Sequence, residues 1–237
     1  MAQYDLRVFT VRRAEQAAGA VYVAREQAGD VVWNGRASPI YKSVTRDHLR
    51  HEQIVLPSKF ASDEHMGWAR NRTVLWDVAE LADSRKHASL ARGYEVPLPA
   101  ELADGERRDL TLGFARALAD RYGNAVDVAI HGPNPARQRA HHHARLLTTT
   151  RVLTRDNLIA KIMYPSNEGQ EMGQIWSQHV ESALGLAVER RNALLGKWLL
   201  QARAEWSRFK QEALLTQATV QAKEGAQSLE HQDDHSF

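Results

Sequence analysis

The sequence predicts an α+β fold: a single, mainly antiparallel sheet of about five strands with helices packed on it, followed by C-terminal helices. Three features point to it. Short runs that alternate apolar and polar residues recur between Gln3 and Leu153. Stretches with helical spacing of apolar residues separate the earlier runs. The last two runs are joined only by a long, charged loop, so they pair as an antiparallel hairpin.

The elements follow in chain order. Residues 3–11, QYDLRVFTV, set Tyr4, Leu6 and Val8 against Asp5 and Arg7, a strand with one buried face. Ala14 to Ala28 is rich in Ala, Glu and Gln, lacks proline and reads as a helix; Tyr22 within it reads locally as a packing residue. Asp30 to Arg46 carries Gly, Asn, Ser and Pro and reads as a loop. Glu52–Pro57 is a short strand closed by proline. Asp63 to Arg85 is a helix with Trp68, Val74, Leu75, Val78 and Leu81 at helical spacing. Leu90–Pro99 is a third strand, with Tyr94, Val96 and Leu98 on one face and Gly93 and Glu95 on the other. Pro97 marks an edge or a strand end. A helix starting at Asp104 or Gly105 runs through Leu110, Phe114 and Leu118 to Tyr122, where Gly123 stops it. Ala125–His131 and His143–Leu153 are the fourth and fifth strands. Ile162–Gly173, with Pro165, Asn167 and Gly169, reads as a linker. From about Met172 to Lys223 a helix keeps a stripe of Trp198, Ala202, Trp206, Phe209 and Ala213, the pattern of a core or a helix–helix contact. The organisation expected is a core over 1–160, a helical extension over 161–223 and a polar, disordered tail over 224–237.

Composition excludes several classes. At 237 residues, 43% hydrophobic and 25% charged, the chain has the make-up of a folded domain. It holds no cysteine, which removes disulfides, thiolate catalysis and thiol-bound zinc, and permits a reducing cytoplasm. A net charge of +2 and a pI of 8.9 hint only weakly at an anionic partner. Arginine gathers near the histidines. No stretch reaches the roughly 18 apolar residues of a membrane span. A soluble, cytoplasmic protein without membrane insertion is expected.

The chemistry concentrates in Val126 to Thr154, VDVAIHGPNPARQRAHHHARLLTTTRVLT. Alternate strand residues share a face, so His141, His143 and Arg145 point one way and His142, Ala144 and Leu146 the other. Pairing of the two strands brings His131 to the same cluster. Two or three converging imidazoles suit Mn, Zn or a similar divalent ion, which can act as a Lewis acid on a phosphoryl oxygen. Arg137, Arg139, Arg145 and Arg151 add fixed positive charge suited to a phosphate backbone. A basic, histidine-rich loop with adventitious metal affinity has the same spacing, and spacing does not choose between the two.

The same stretch belongs to an ordered set of motifs: HEQIVLP at His51–Pro57, the helix segments Trp68–Arg72 and Leu75–Glu80, LARGYEVPLPAEL at Leu90–Leu102, FARALADRYGNAVDVAIHGP at Phe114–Pro133, and HHARLLTTTRVLT at His142–Thr154. Together they resemble the MobA/MobL relaxases of mobilisable plasmids, including the TraA-type relaxase domain, over residues 1–160. The resemblance implies a relaxase-like fold in the His-x-His/Tyr rolling-circle endonuclease superfamily. It also implies a metal-dependent, strand-specific DNA endonuclease and transesterase that nicks and rejoins one strand at a plasmid transfer origin for conjugative mobilisation. The intermediate is a 5′-phosphotyrosine with a free 3′-hydroxyl. Tyr22 matches the nucleophile, Glu26 an acid beside it, and His131 and His143 two metal ligands for Mn or Mg, or Zn. The implied partners are single-stranded origin DNA, accessory relaxosome proteins and the coupling protein of a secretion system. Trp33 and Tyr41, in the loop after Tyr22, are candidates for stacking on bases, with core packing the alternative for each. A phenol with a pKa of about 10 needs a neighbouring base or cation to attack near neutral pH.

Two positions depart from the family pattern. Arg145 stands where relatives carry the third metal-binding histidine. His141 can replace it one step earlier on the strand; two histidines and a carboxylate can hold a weaker metal; or Arg145 can bind the phosphate itself. Gly93 stands where relatives often place an acid beside the one matched by Glu95. Glu95 is either an orienting partner for a ligating histidine or an ordinary solvent-facing strand residue. An alternative reading therefore stands beside the enzyme: a catalytically impaired relaxase-fold protein that binds origin DNA or a relaxosome partner. The chain reads as a minimal relaxase or the N-terminal piece of a longer one.

Overall fold

The computed structural model describes residues 5–13, 24, 48–134 and 141–233, with side chains up to residue 221. Tyr22, Glu26, Trp33, Tyr41, Arg137 and Arg139 lie outside the described residues. Five strands form one sheet: β1 (Arg7–Arg12), β2 (Leu49–Val55), β3 (Ser89–Pro97), β4 (Val126–His131) and β5 (His143–Thr149). Their spatial order is β1-β3-β5-β4-β2, and every neighbouring pair is antiparallel. The mixed α+β class and the antiparallel sheet are as the alternation predicts. β3 is an interior strand, so Pro97 marks its end and not an edge, since an interior proline would break a ladder.

The expected helix over 63–85 is interrupted. A 3-10 turn (Glu64–Met66) leads into α1 (Gly67–Arg70), and α2 (Arg72–Leu81) follows. The break is Asn71, in extended conformation, whose side-chain oxygen accepts from the Val74 N–H at 3.2 Å. An asparagine at that place caps a new helix because its short amide satisfies an orphan donor. α3 (Asp104–Tyr122) ends at Gly123, which adopts φ 65° as a left-handed cap.

The sheet is covered on both faces. Leu147, Ala91 and Val11 on one face pack in a core with Leu75, Trp76 and Ala79 of α2, and Ala24 joins the same core. The other face meets α3 and the start of α4 (Glu168–Asp233). There Tyr94 donates its hydroxyl to the buried Glu168, and Arg92 donates to the same carboxylate from Nε at 3.0 Å. Phe114 of α3 and Trp176 of α4 meet edge to face at 5.2 Å. Burial pushes the hydroxyls of Tyr94 and Tyr164 up, the latter to about 12, so both stay protonated.

β4 is buried along its whole length, and its Asp127 is wholly enclosed. Arg72 grips this carboxylate through Nε and Nη2 at 2.9 Å, and the Trp76 indole donates to it at 2.9 Å. Burial pushes the Asp127 carboxyl up while Arg72 and Trp76 pull it down. Arg72 also reaches Glu52 of β2 at 2.7 Å. One arginine thus ties α2 to two adjacent strands.

The expected fifth strand over 143–153 is two. β5 stops at Thr149, and β6 (Arg151–Leu153) turns away to pair with β7 (Leu158–Lys161) in a separate small sheet. Thr150 fixes the corner: its hydroxyl donates to the Ser89 carbonyl at 2.9 Å, and its own carbonyl accepts from Ile162 N–H at 2.9 Å.

The chain divides into two compact units, residues 1–185 and 186–237. The first includes the opening of α4. The second is the rest of that helix, which starts inside the expected linker and continues to Asp233, beyond the expected limit at Lys223. The residues after Glu224 include good helix formers, and no proline stops them. In this unit Trp198, Trp206 and Phe209 are exposed, and Trp206 and Phe209 stack on each other at 5.7 Å. The apolar stripe is therefore not core among the described residues. No described helix is long and apolar enough to cross a membrane.

Removing the Asp127 carboxylate leaves the half-buried Arg72 guanidinium with Glu52 alone and takes the partner from the Trp76 indole. Asp127→Ala is expected to cost about 3–5 kcal/mol in urea unfolding; a loss below about 1 kcal/mol would contradict this account of the α2 anchor.

Candidate functional site

The β4–β5 register aligns His131 with His143 directly across the ladder. Their rings lie nearly parallel, 20° apart in plane and 5.1 Å between centroids. His131 is 8% exposed and His143 is half-buried, so the pair sits at the end of the sheet rather than in open solvent. One step back along the same face, Arg145 pairs with Glu95 on one side and Ala129 on the other. Beyond Glu95 in that row stands Arg7. The next row holds Phe9, Gly93, Leu147 and Asp127, where the α2 core begins.

Arg145 is held on its flanks. Its Nε lies 3.9 Å from Glu95 Oε2, and its guanidinium carbon lies 5.5 Å from the centre of the Phe9 ring. Phe9 can lie there because its cross-strand partner is glycine. A Cβ on Gly93 would come within 2.2 Å of the ring. An aromatic laid over a strand glycine fills the space that the missing side chain leaves.

His141 is not part of β5. It lies outside β5 in an exposed bend, and its carbonyl oxygen is 3.3 Å from His143 Nδ1. The register gives the reason. β4 ends at His131; Gly132 N–H turns to the His48 carbonyl at 2.7 Å, and Pro133 has no N–H to continue the ladder. The strand alternation that would set His141 beside His143 therefore does not extend to it. A proton on His143 Nδ1, donated to that carbonyl, would put the imidazole lone pair on Nε2. His142 points to the other face, where burial, and then Arg107 and Arg50, hold its pKa below the usual histidine range.

Arg151 is not brought to the histidines. It lies in β6, past the far end of β5, donates to the Ile159 carbonyl at 2.6 Å and faces Asp83 at 4.0 Å. Glu95 is brought to the site, where it faces the Arg145 guanidinium. Phe9 and Arg50 are contributions that sequence reading misses. The Arg50 guanidinium lies against Gly132, within 2.9 Å of where a Cβ would be, beside His131. The aromatic-to-glycine pairing of Phe9 has a sequence signal, a strand glycine, but the partner strand has to be known first.

The described residues do not complete a divalent-metal site. No group of three or more His, Cys, Asp or Glu side chains among them is placed to hold an ion. His131 and His143 supply two imidazoles, and the neighbouring position on the face carries the permanent charge of Arg145, which opposes a cation.

The chain as a whole has known relatives. The family model described as the MobA/MobL family covers residues 18–236. This chain belongs to the MobA/MobL family. The mobilization protein MobL of Acidithiobacillus ferridurans is 33% identical over 141 residues, 59% of this chain and 34% of that protein. The chain thus spans about a third of that relative's length. A structure solved for the molecular basis of vancomycin resistance transfer in Staphylococcus aureus superposes with a TM-score of 0.61 at 20% identity, covering 78% of this chain and 93% of that one. At that identity the likeness is one of fold, and the fold of this MobA/MobL chain is the one expected from its strand pattern.

The Phe9–Gly93 contact can be tested by stability. Gly93→Ala must push the Phe9 ring aside, and is expected to cost about 1–3 kcal/mol in thermal or urea unfolding. In a Phe9→Ala background the same substitution should cost much less. Equal costs in both backgrounds would contradict the packing.

Proposed function

We propose that this chain nicks and rejoins one strand of DNA at a plasmid transfer origin, with Tyr22 as the nucleophile. The observation that supports it most is the alignment of His131, His143 and Arg145 on one face of the sheet, in a member of a mobilisation family. The Tyr22 oxygen would attack the scissile phosphorus. A P–O bond to the tyrosine forms and the P–O3′ bond breaks. The phenolic proton is lost to a neighbouring base, for which Glu26 is the candidate, and the departing 3′-oxygen takes up a proton. The reverse attack by the 3′-hydroxyl restores the strand. The phosphodiester is conserved throughout, so rejoining needs no nucleotide cofactor.

Developing charge on the phosphate oxygens calls for fixed positive groups. Arg145 and the two imidazoles can supply them, and Arg137 and Arg139 of the β4–β5 loop are proposed to grip flanking phosphates. A divalent ion, Mn or Mg or Zn, would find two imidazole donors here and would need a further ligand from outside the described residues. Accessory relaxosome proteins and the coupling protein of a secretion system are the proposed protein partners. Arg145 also favours a second reading, a relaxase-fold protein that binds origin DNA or a relaxosome partner without cutting it.

A covalent-adduct assay separates the two. Protein incubated with a single-stranded oligonucleotide spanning the cognate origin should give a denaturation-resistant protein–DNA band, and Tyr22→Phe should abolish it. Binding without a band, from folded wild-type protein, would support the non-cutting reading. Replacing both Arg137 and Arg139 by Ala should weaken single-strand binding and reduce the salt dependence by about two charges. An unchanged affinity would remove that loop from the DNA contact.

A further inference from the structure

We propose that residues 188–220 of α4 pair with the same residues of a second copy of this chain in a parallel, in-register coiled coil. The pairing goes beyond the DNA-processing reading and does not depend on it.

From Val188 to Val220 one row of the helix is reached by alternating steps of four and three residues, the d and a positions of a heptad repeat. Its large interior members are Leu195, Leu199, Trp206 and Phe209. These four and the two end valines are 48–61% exposed. A straight helix drifts about 20° per heptad from such a row. A row kept apolar over roughly 50 Å, at about 1.5 Å per residue, therefore suits a supercoiled partner helix. Ala202 precedes the aromatic pair and Ala213 follows it, so two bulky layers would lie between two small ones when the copies are in register. Asn192 takes an a position, where a single asparagine meets its own counterpart and selects two strands. A shift of one heptad would set it against Leu199 and leave its amide without a partner.

Charge decides the direction. Across a parallel pair each g position faces the e position of the next heptad on the other copy. Glu205 then meets Lys210, and Trp198 meets Arg203, an ion pair and a cation–π contact on each flank of the coil. The neighbouring pairs, Glu212 with Gln217 and Arg191 with Gly196, bring no like charges together. Lys210 already lies at the edge of the row, its Nζ 5.8 Å from the centre of the Trp206 ring. In an antiparallel pair of the same overlap, Glu205 would face the second copy's Glu205 and Arg203 its Arg203, both repulsive. Leu200 and Leu214 are at least as exposed as the row but fall at b positions, outside the contact.

Sedimentation equilibrium of the full chain, without DNA, tests this. Wild type should assemble at micromolar concentration to twice its 26.7 kDa. Leu199→Asp and Phe209→Asp should each weaken assembly about a hundredfold or more, because a carboxylate enters the buried seam. Leu200→Asp and Leu214→Asp, off the row, should leave it within about threefold. Glu205→Lys and Lys210→Glu should each weaken it about tenfold, and the double variant should recover most of the loss. Thr216→Cys, in a chain with no cysteine of its own, should oxidise to a covalent dimer, since position 216 faces its counterpart only in a parallel, in-register pair. A chain that stays monomeric at sub-millimolar concentration overturns the pairing. So do row and off-row aspartates that weaken assembly alike, and a double charge variant no better than its singles. A Thr216→Cys chain that dimerises but does not cross-link overturns the parallel register. A missing Tyr22 adduct from a chain that pairs in this way would sink the strand-cutting reading and leave the coiled coil standing.

Discussion

The antiparallel register between β4 and β5 governs everything else at this site. It sets His131 opposite His143 and Arg145 opposite Ala129. A one-residue slip of β5 would turn His143 and Arg145 to the α3 face, away from His131. The register is in turn fixed by what each face must bury. Asp127 has to meet Arg72 and Trp76, and Leu147 has to enter the α2 core, while Val128 and Leu146 fill the opposite face. The functional row is the continuation of a row whose other members are anchored in the core. Precision at the histidine end is inherited from packing at the α2 end.

That end of the sheet combines permanent and conditional charge. Arg145 carries its charge at any physiological pH, whereas the imidazoles do not. A site of this kind is suited to an anion before it is suited to a cation. The usual arrangement of imidazoles around a divalent ion depends on neutral donors, and a guanidinium in the row works against it.

Much of this was legible in the sequence because period-two alternation and end signals are local. The strands, the α3 helix with its Gly123 cap, and the pairing of His131 with His143 follow from such patterns. What was not legible depended on distant partners. Asn71 looks neutral within a helical run, and only the direction of α2 makes it a cap. Thr150 looks like one more strand residue, and only its bonds to Ser89 and Ile162 make it a corner. His141 keeps a strand spacing, yet Pro133 ends the ladder that would have made it a strand. The relation of Phe9 to Arg145 spans three strands and has no local signature.

The most direct measurement follows the histidine imidazole signals of the full chain by NMR while a single-stranded oligonucleotide is added in chelator. Each of the 11 histidines can be assigned by substitution. The account predicts that His131 and His143 shift first and furthest, while His65 and His87 stay in place. Unmoved His131 and His143 signals under conditions where the strand is bound would contradict the claim that this face receives the DNA phosphate.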